Sequence, residues 1–100
     1  MSERFVDVLK HEIAEEKAGA LGRCGRRLED ALASFRTYAA GGASRADAKR
    51  ERLLWDLAER VEAFVVTREA CGLRDSRHVL KHYDVPREAI ARVGARRPKS

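Results

Sequence analysis

The fold is decided by residues 21–38, which read LGRCGRRLEDALASFRTY. Apolar side chains recur there in two series with a heptad spacing. The two series are Leu21, Leu28 and Phe35, and Cys24, Ala31 and Tyr38. This spacing places both series on one face of an α-helix. The segment therefore predicts a long amphipathic helix that packs its apolar stripe against another helix.

The same stripe extends towards the N-terminus through Phe5, Leu9 and Ile13. Three glycines interrupt the segment between these residues and the heptads, namely Gly19, Gly22 and Gly25. Each costs about 1 kcal/mol relative to alanine inside a helix, yet the stripe keeps its phase, which a loop would normally reset. We therefore expect one continuous helix over about 2–40. The glycines lie off the stripe. They form either a face that another helix can approach closely or a weak, kinked turn of the helix.

A second long helix is predicted over about 45–71, after a Gly-Gly turn in which Gly41 is the C-cap of the first helix. Ser44 is the expected N-cap of this second helix. Most of its apolar residues share one stripe, but Trp55 and Val66 lie on a different face. Two apolar faces imply two contact surfaces. Trp55 and Val66 therefore join the three glycines as the candidate dimer interface.

Two short helices are predicted after the second helix, over about 76–82 and 86–93. Pro86 is suited to the first position of the last helix, where its missing N–H has no cost. Strand-like alternation is absent from the whole sequence. The chain is thus predicted to be all-α, with a single helical domain over 1–94 and a disordered basic tail over 95–100.

The length of the first helix bears on assembly. A helix over 2–40 is about 57 Å long, whereas a compact domain of this size has a radius of gyration of about 13 Å. Charged residues make up 37% of the 100 residues, close to the limit for a core built by one chain. Two long antiparallel helices cannot cover both of their faces, so we expect a second copy to complete a dimeric helical bundle.

The net charge of +5 is concentrated at the C-terminal end. Residues 73–100 hold eight basic and three acidic residues, and the rest of the chain is neutral. Such asymmetry is typical of contact with a polyanion, or of a solvated basic tail. The segment is therefore a candidate for nucleic-acid binding.

Residues 76–93 resemble a helix-turn-helix when Asp84 takes the turn position. Leu80 and Asp84 depart from the small residue and the glycine that are usual in the motif. In this interpretation the last helix would enter a groove of the nucleic acid. The candidate contact residues are Arg77, Lys81, Arg87, Arg92, Arg96 and Arg97. The alternative is a helical hairpin that only caps the end of the bundle.

The sequence contains no motif typical of catalysis, neither a phosphate-binding loop nor a nucleophile elbow. His78 and His82 lie one helical turn apart and could share a metal with Cys71 or Asp75, but no second motif supplies further ligands. Surface histidines are the simpler interpretation. Two cysteines are too few for a disulfide framework, and Cys24 and Cys71 both lie on apolar stripes. We therefore expect no metal, no cofactor and no enzymatic activity.

No apolar run is long enough to cross a membrane, and the first residues lack the core of a signal peptide. We expect a cytoplasmic protein without membrane contacts. Its overall look is similar to that of small bacterial helical proteins, a likeness that implies no activity. The leading hypothesis is a non-enzymatic homodimer that acts by protein–protein interaction. The alternative is a nucleic-acid-binding regulatory protein that uses the C-terminal helix pair and the basic tail.

Overall fold

A computed structural model describes residues 2–99 and shows four helices. They are α1 (Glu3–Ala40), α2 (Ala48–Ala70), α3 (Arg77–His82) and α4 (Arg87–Arg92). No strand occurs within residues 2–99, so the prediction of an all-α fold with two long helices and two short ones is confirmed. None of these helices is both long and apolar enough to cross a membrane.

α1 runs without interruption through its three glycines, as its apolar periodicity predicts. Its first turn is capped by Ser2, whose hydroxyl accepts the backbone N–H of Phe5 at 3.3 Å. The helix ends at Gly41, the predicted C-cap. The next residue, Gly42, has a φ of 87°, a left-handed conformation that glycine adopts readily. The chain can therefore reverse direction within a short loop.

α2 begins later than the sequence predicts. Its N-cap is Asp47 rather than Ser44. The Asp47 carboxylate accepts the Arg50 N–H at 2.8 Å, which satisfies a donor of the first turn. It also accepts the hydroxyl of Tyr38, on α1, at 3.0 Å. This hydrogen bond joins the cap of α2 to α1, a contact that a spacing rule within one helix does not reveal.

The core lies between α1 and α2, where the predicted apolar stripes meet. Its buried members are Leu28, Leu32 and Phe35 of α1, Leu54, Leu57, Val61 and Phe64 of α2, and Ala89 of α4. Burying one such large apolar side chain contributes about 1.5–3 kcal/mol. The heptad residues of the first helix therefore provide much of the stability of the hairpin.

The two short helices pack on the hairpin of their own chain. Ala89 of α4 is fully buried, and Val79 and Tyr83 cover the same core from the α3 side. Pro86 is the N-cap of α4 and not its first helical residue, so this helix begins at Arg87. The chain thus covers one side of its hairpin without a second copy.

α1 is much longer than its partner, with 38 residues against 23 in α2. The end of α2 meets α1 at Lys17, whose carbonyl oxygen lies 3.6 Å from the sulfur of Cys71. Residues 3–16 therefore extend beyond the hairpin and are termed the N-terminal arm. The molecule is elongated, 61 × 25 × 21 Å, with a radius of gyration of 17.1 Å.

Candidate functional site

The turn between α3 and α4 contains one residue with left-handed backbone. Asp84 occupies the turn position with a φ of 54°, in the left-handed region where that motif normally has glycine. Arg36 of α1 donates to the carbonyl oxygens of Tyr83 and Asp84 at 2.8 and 3.0 Å. The turn predicted at Asp84 is therefore present, and the hydrogen bonds from Arg36 attach it to α1.

Tyr83 anchors the same turn to both long helices. Its ring meets the edge of Phe64 on α2, with 6.0 Å between the ring centroids. Its hydroxyl donates to Glu29 on α1 at 3.1 Å. Burial and the hydrogen bond to Glu29 both raise the pKa of Tyr83 above its ordinary value. These contacts fix α3 against the hairpin.

An ion pair fastens α4 to α2. The guanidinium of Arg50 donates two hydrogen bonds of 2.8 Å to the carboxylate of Glu88. Arg50 is only 9% exposed and lies over the ring of Phe35. The hydrogen bond from Arg50 holds the pKa of the Glu88 carboxyl below its ordinary value. Glu88 is therefore a structural partner of α2.

Two of the six predicted nucleic-acid contacts bind carboxylates of α2. Arg92 donates to Glu51 at 2.8 Å and lies over the ring of Trp55. Arg97, beyond α4, donates to Asp56 at 2.9 Å and to Glu59 at 3.2 Å. Both arginines thus contact the outer face of α2, where their charges are compensated.

The other four predicted contacts are exposed, namely Arg77, Lys81, Arg87 and Arg96. Arg77 pairs with its neighbour Asp75 at 2.9 Å. Hydrogen bonds from Arg77 lower the pKa of Asp75 to about 2. The structure places three of the four cations, but not Arg96, around one cleft.

This cleft lies between α3 and α4, has a volume of about 430 Å³, and is termed the basic cleft. It is lined by Arg77, Leu80, Lys81, Asp84, Val85, Arg87 and Ile90. Ile90 is 40% exposed, and Leu80 and Val85 are half-buried because they also pack against the core. An apolar floor with cations at its edge suits a ligand that joins apolar and anionic groups.

The glycines of the candidate dimer interface lie in two different environments. Gly25 is buried within the hairpin, where a Cβ would lie 3.5 Å from Cε1 of Phe64. The close contact at Gly25 is thus with the chain's own α2 rather than on a back face. Gly19 and Gly22 are half-buried, and a Cβ there would lie 3.4 Å from the guanidinium of an arginine one turn further along. Their neighbours are therefore side chains of α1 itself.

Trp55 and Val66, the other two candidate interface residues, are not brought together. The indole N–H of Trp55 donates to Glu51 at 3.1 Å, and Arg92 covers the ring. Val66 is 56% exposed and stays on the open face of α2. Trp55 thus belongs to the contact between α2 and α4.

The N-terminal arm is a surface that the sequence interpretation did not single out. Four of the seven large hydrophobic residues exposed within residues 2–99 lie on it: Phe5 (50%), Val8 (52%), Leu9 (44%) and Ile13 (51%). The sequence assigned this stripe to the bundle core. The signal that could have separated it is the unequal length of the two predicted long helices, because a shorter partner must leave part of the longer stripe uncovered.

The histidines and cysteines that the sequence analysis weighed as metal ligands are not grouped with further ligands in residues 2–99. Within residues 2–99, no group of three or more His, Cys, Asp or Glu side chains is arranged to hold a metal ion. The sulfur of Cys24 lies 3.4 Å from the hydroxyl of Thr67, across the hairpin. Both cysteines are half-buried, and they form no disulfide bond in the part of the chain that the structure describes. These cysteines therefore serve as small packing residues.

The fold and these surfaces define a small all-helical protein in which a helix pair closes one side of a two-helix hairpin and a helical arm extends beyond it. Within that class, the chain belongs to a family of unknown function (DUF6665), whose model matches residues 3–99. The match includes the arm and the basic cleft as well as both long helices. Neither a curated protein nor a solved structure matches the chain.

Proposed function

We propose that this protein acts by protein–protein interaction, without enzymatic activity, as a homo-oligomer whose copies associate through the N-terminal arm. The observation that carries the proposal is the row of exposed apolar side chains on residues 3–16. Phe5, Leu9 and Ile13 follow one another at intervals of four, so they form one stripe along the helix. A contiguous apolar patch of this kind on a surface exposed to water is typical of a site that binds another chain.

The stability of the arm supports the same conclusion. Residues 3–16 form about 21 Å of helix, and all of them except the half-buried Val6 are exposed. Helices gain most of their stability in water from packing an apolar face, and isolated helices of about this length are marginal. A partner that covers the stripe removes apolar area from water at about 25 cal/mol per Å². Binding of a partner to the stripe therefore also stabilises the helical conformation of the arm.

Charge favours a second copy of the chain as the partner. The arm holds five acidic and two basic residues, a net charge of −3. Because the whole chain carries +5, the remainder carries +8. The arm of one copy is therefore attracted to the remainder of another copy.

The test compares the mass of the wild-type protein with that of Leu9→Glu by sedimentation equilibrium at micromolar concentration. We expect the wild type to be oligomeric and Leu9→Glu to be monomeric, because the variant puts a charge in the middle of the stripe. Val66→Glu is the matched control, since it places the same charge on an exposed apolar residue of α2. A monomeric wild type would overturn the proposal, and so would an oligomer that survives Leu9→Glu but not Val66→Glu.

Nucleic-acid binding through the C-terminal segment is the second candidate. It is supported by the left-handed turn at Asp84 and by the three cations around the basic cleft. It receives less support because Arg92 and Arg97 already bind carboxylates of α2. A mobility shift with mixed duplex DNA separates the two candidates, because phosphate contacts weaken steeply with salt. A shift that persists at physiological salt would place nucleic-acid binding first, and no shift at low salt would exclude it.

A further inference from the structure

We propose that the N-terminal arm of one copy docks in the basic cleft of a second copy. This inference rests on the proposed self-association and adds where on the partner the arm binds. It commits to a contact between the arm of one copy and the cleft of the other, made twice in a symmetric dimer. The alternative that it opposes is a contact between two arms.

The first argument is the chemistry of the cleft. Its floor is apolar, with Ile90 40% exposed. Its edge carries Lys81 and Arg87, together with Arg77, which is paired with Asp75, and one carboxylate, Asp84. Phosphate alone would be served by the cations but would leave the apolar floor in contact with water. An amphipathic helix with carboxylates beside its apolar stripe satisfies both parts of the cleft at once.

The second argument is that the arm is such a helix. Its stripe contains Phe5, Leu9 and Ile13. Glu12 follows Leu9 by three positions and Glu16 follows Ile13 by three, so both carboxylates lie beside the stripe, one turn apart. Both are exposed, and Glu16 receives only a long contact of 3.4 Å from Arg23. Apolar side chains and acids thus occupy one side of the arm.

The third argument is that the chain cannot fill its own cleft. The arm is the first part of a helix that continues without interruption from Glu3 to Ala40. It points beyond the end of α2 at Cys71, whereas α4 is fastened to α2 near the other end, at Arg50. A continuous helix cannot fold back over its own hairpin, so the arm that enters the cleft comes from another molecule. When two copies exchange arms reciprocally, the contact closes as a symmetric dimer.

The experiment is a charge exchange at exposed positions. One variant reverses the arm (Glu12→Lys with Glu16→Lys) and another reverses the cleft (Lys81→Glu with Arg87→Glu). Each variant alone places like charges at both contacts of the dimer, and we expect self-association to weaken about tenfold or more. Mixing the two variants places opposite charges at both contacts. We therefore expect the mixture to form a heterodimer with about the affinity of the wild type.

Two control variants make the same changes of net charge outside both surfaces. They are Glu62→Lys with Glu69→Lys on α2, and Arg96→Glu with Lys99→Glu beyond α4. We expect both to associate like the wild type. Circular dichroism of each protein checks that the exposed substitutions leave the fold intact.

The outcomes separate this inference from the proposed function. A monomeric wild type overturns both. A cleft variant that associates like the wild type, while Leu9→Glu does not, overturns the docking site and leaves self-association through the arm in place. Weakened association of both reversed variants without recovery in the mixture also overturns the arm-to-cleft contact. Recovery in the mixture establishes it.

Discussion

Gly25 shows how the space between the two long helices limits the side chain that one position can hold. A Cβ at this position would lie 3.5 Å from Cε1 of Phe64 and 4.0 Å from the hydroxyl of Tyr83. Both distances are ordinary van der Waals contacts. A methyl group therefore fits between the helices, and anything larger must displace an aromatic ring of the core.

We expect Gly25→Ala to stabilise the protein by up to about 1 kcal/mol, because alanine is the better helix former. We expect Gly25→Leu to destabilise it by about 1–3 kcal/mol through overpacking. Chemical denaturation measures both free energies of unfolding. Gly22→Leu is the control, since a Cβ at position 22 meets only a flexible guanidinium of α1. Equal losses at positions 22 and 25 would contradict this account of the helix contact.

The attachment of α4 is decided at the scale of the element. A helix of six residues has no stability of its own in water. It is held by the burial of Ala89, by the pair of Glu88 with Arg50, and by Arg92 on Glu51. These contacts hold in place the helix that supplies Arg87 and Ile90 to the basic cleft. Loosening them should therefore disturb the cleft before it disturbs the hairpin.

We expect Glu88→Gln to lower the free energy of unfolding by about 1–3 kcal/mol at neutral pH, because the buried Arg50 loses its anionic partner. The pKa of Glu88 is lowered in the folded state, so its contribution is complete above the ordinary value of 4.5 and is lost as pH falls through the lowered pKa. The difference between wild type and variant should therefore shrink in acid. Denaturant unfolding at several pH values measures it.

The exposed Glu62→Gln is the control for this series. It removes a carboxylate from the same helix as Arg50 without breaking an ion pair within residues 2–99. We expect it to change the free energy of unfolding by less than about 0.5 kcal/mol at every pH. A gap between wild type and Glu88→Gln that persists at the lowest pH would contradict the role of the charged pair.

At the scale of the whole molecule, the end that holds the short helices is well packed, whereas the end formed by the N-terminal arm is exposed. The hairpin and the short helices enclose a core, whereas residues 3–16 expose an apolar stripe. We expect the amides of residues 7–16 to exchange rapidly in dilute protein and to become protected as concentration rises, because a partner covers the arm. Hydrogen exchange followed by mass spectrometry measures this. Residues 28–38 serve as the internal control and should stay protected throughout.

Protection of the arm that does not change with concentration would speak against self-association through this surface. Slow exchange at every dilution would mean that the helix is stable without a partner. Rapid exchange at every concentration would mean that the stripe stays uncovered. Either result would direct attention to the basic cleft alone.

The sequence by itself determined the helices, their approximate bounds and the stripe that becomes the core. Heptads such as Leu21, Leu28 and Phe35 act within one helix, and their periodicity predicts a helix that continues through the glycines. The turn at Asp84 was likewise readable from local chemistry. Secondary structure could be predicted because its causes lie within a few residues of one another.

Only the tertiary structure decided which surfaces remain open. Arg92 binds Glu51 and Glu88 binds Arg50, across 41 and 38 positions of the chain. No local pattern therefore distinguished these paired side chains from the exposed Arg87. Asp47, and not Ser44, caps α2, and its carboxylate also accepts the hydroxyl of Tyr38 from the other long helix. The apolar stripe of the arm is exposed because α2 ends at Ala70, and the next residue, Cys71, already lies beside Lys17 of the longer α1. These outcomes depend on where the elements meet in space, and spacing along the chain does not contain that information.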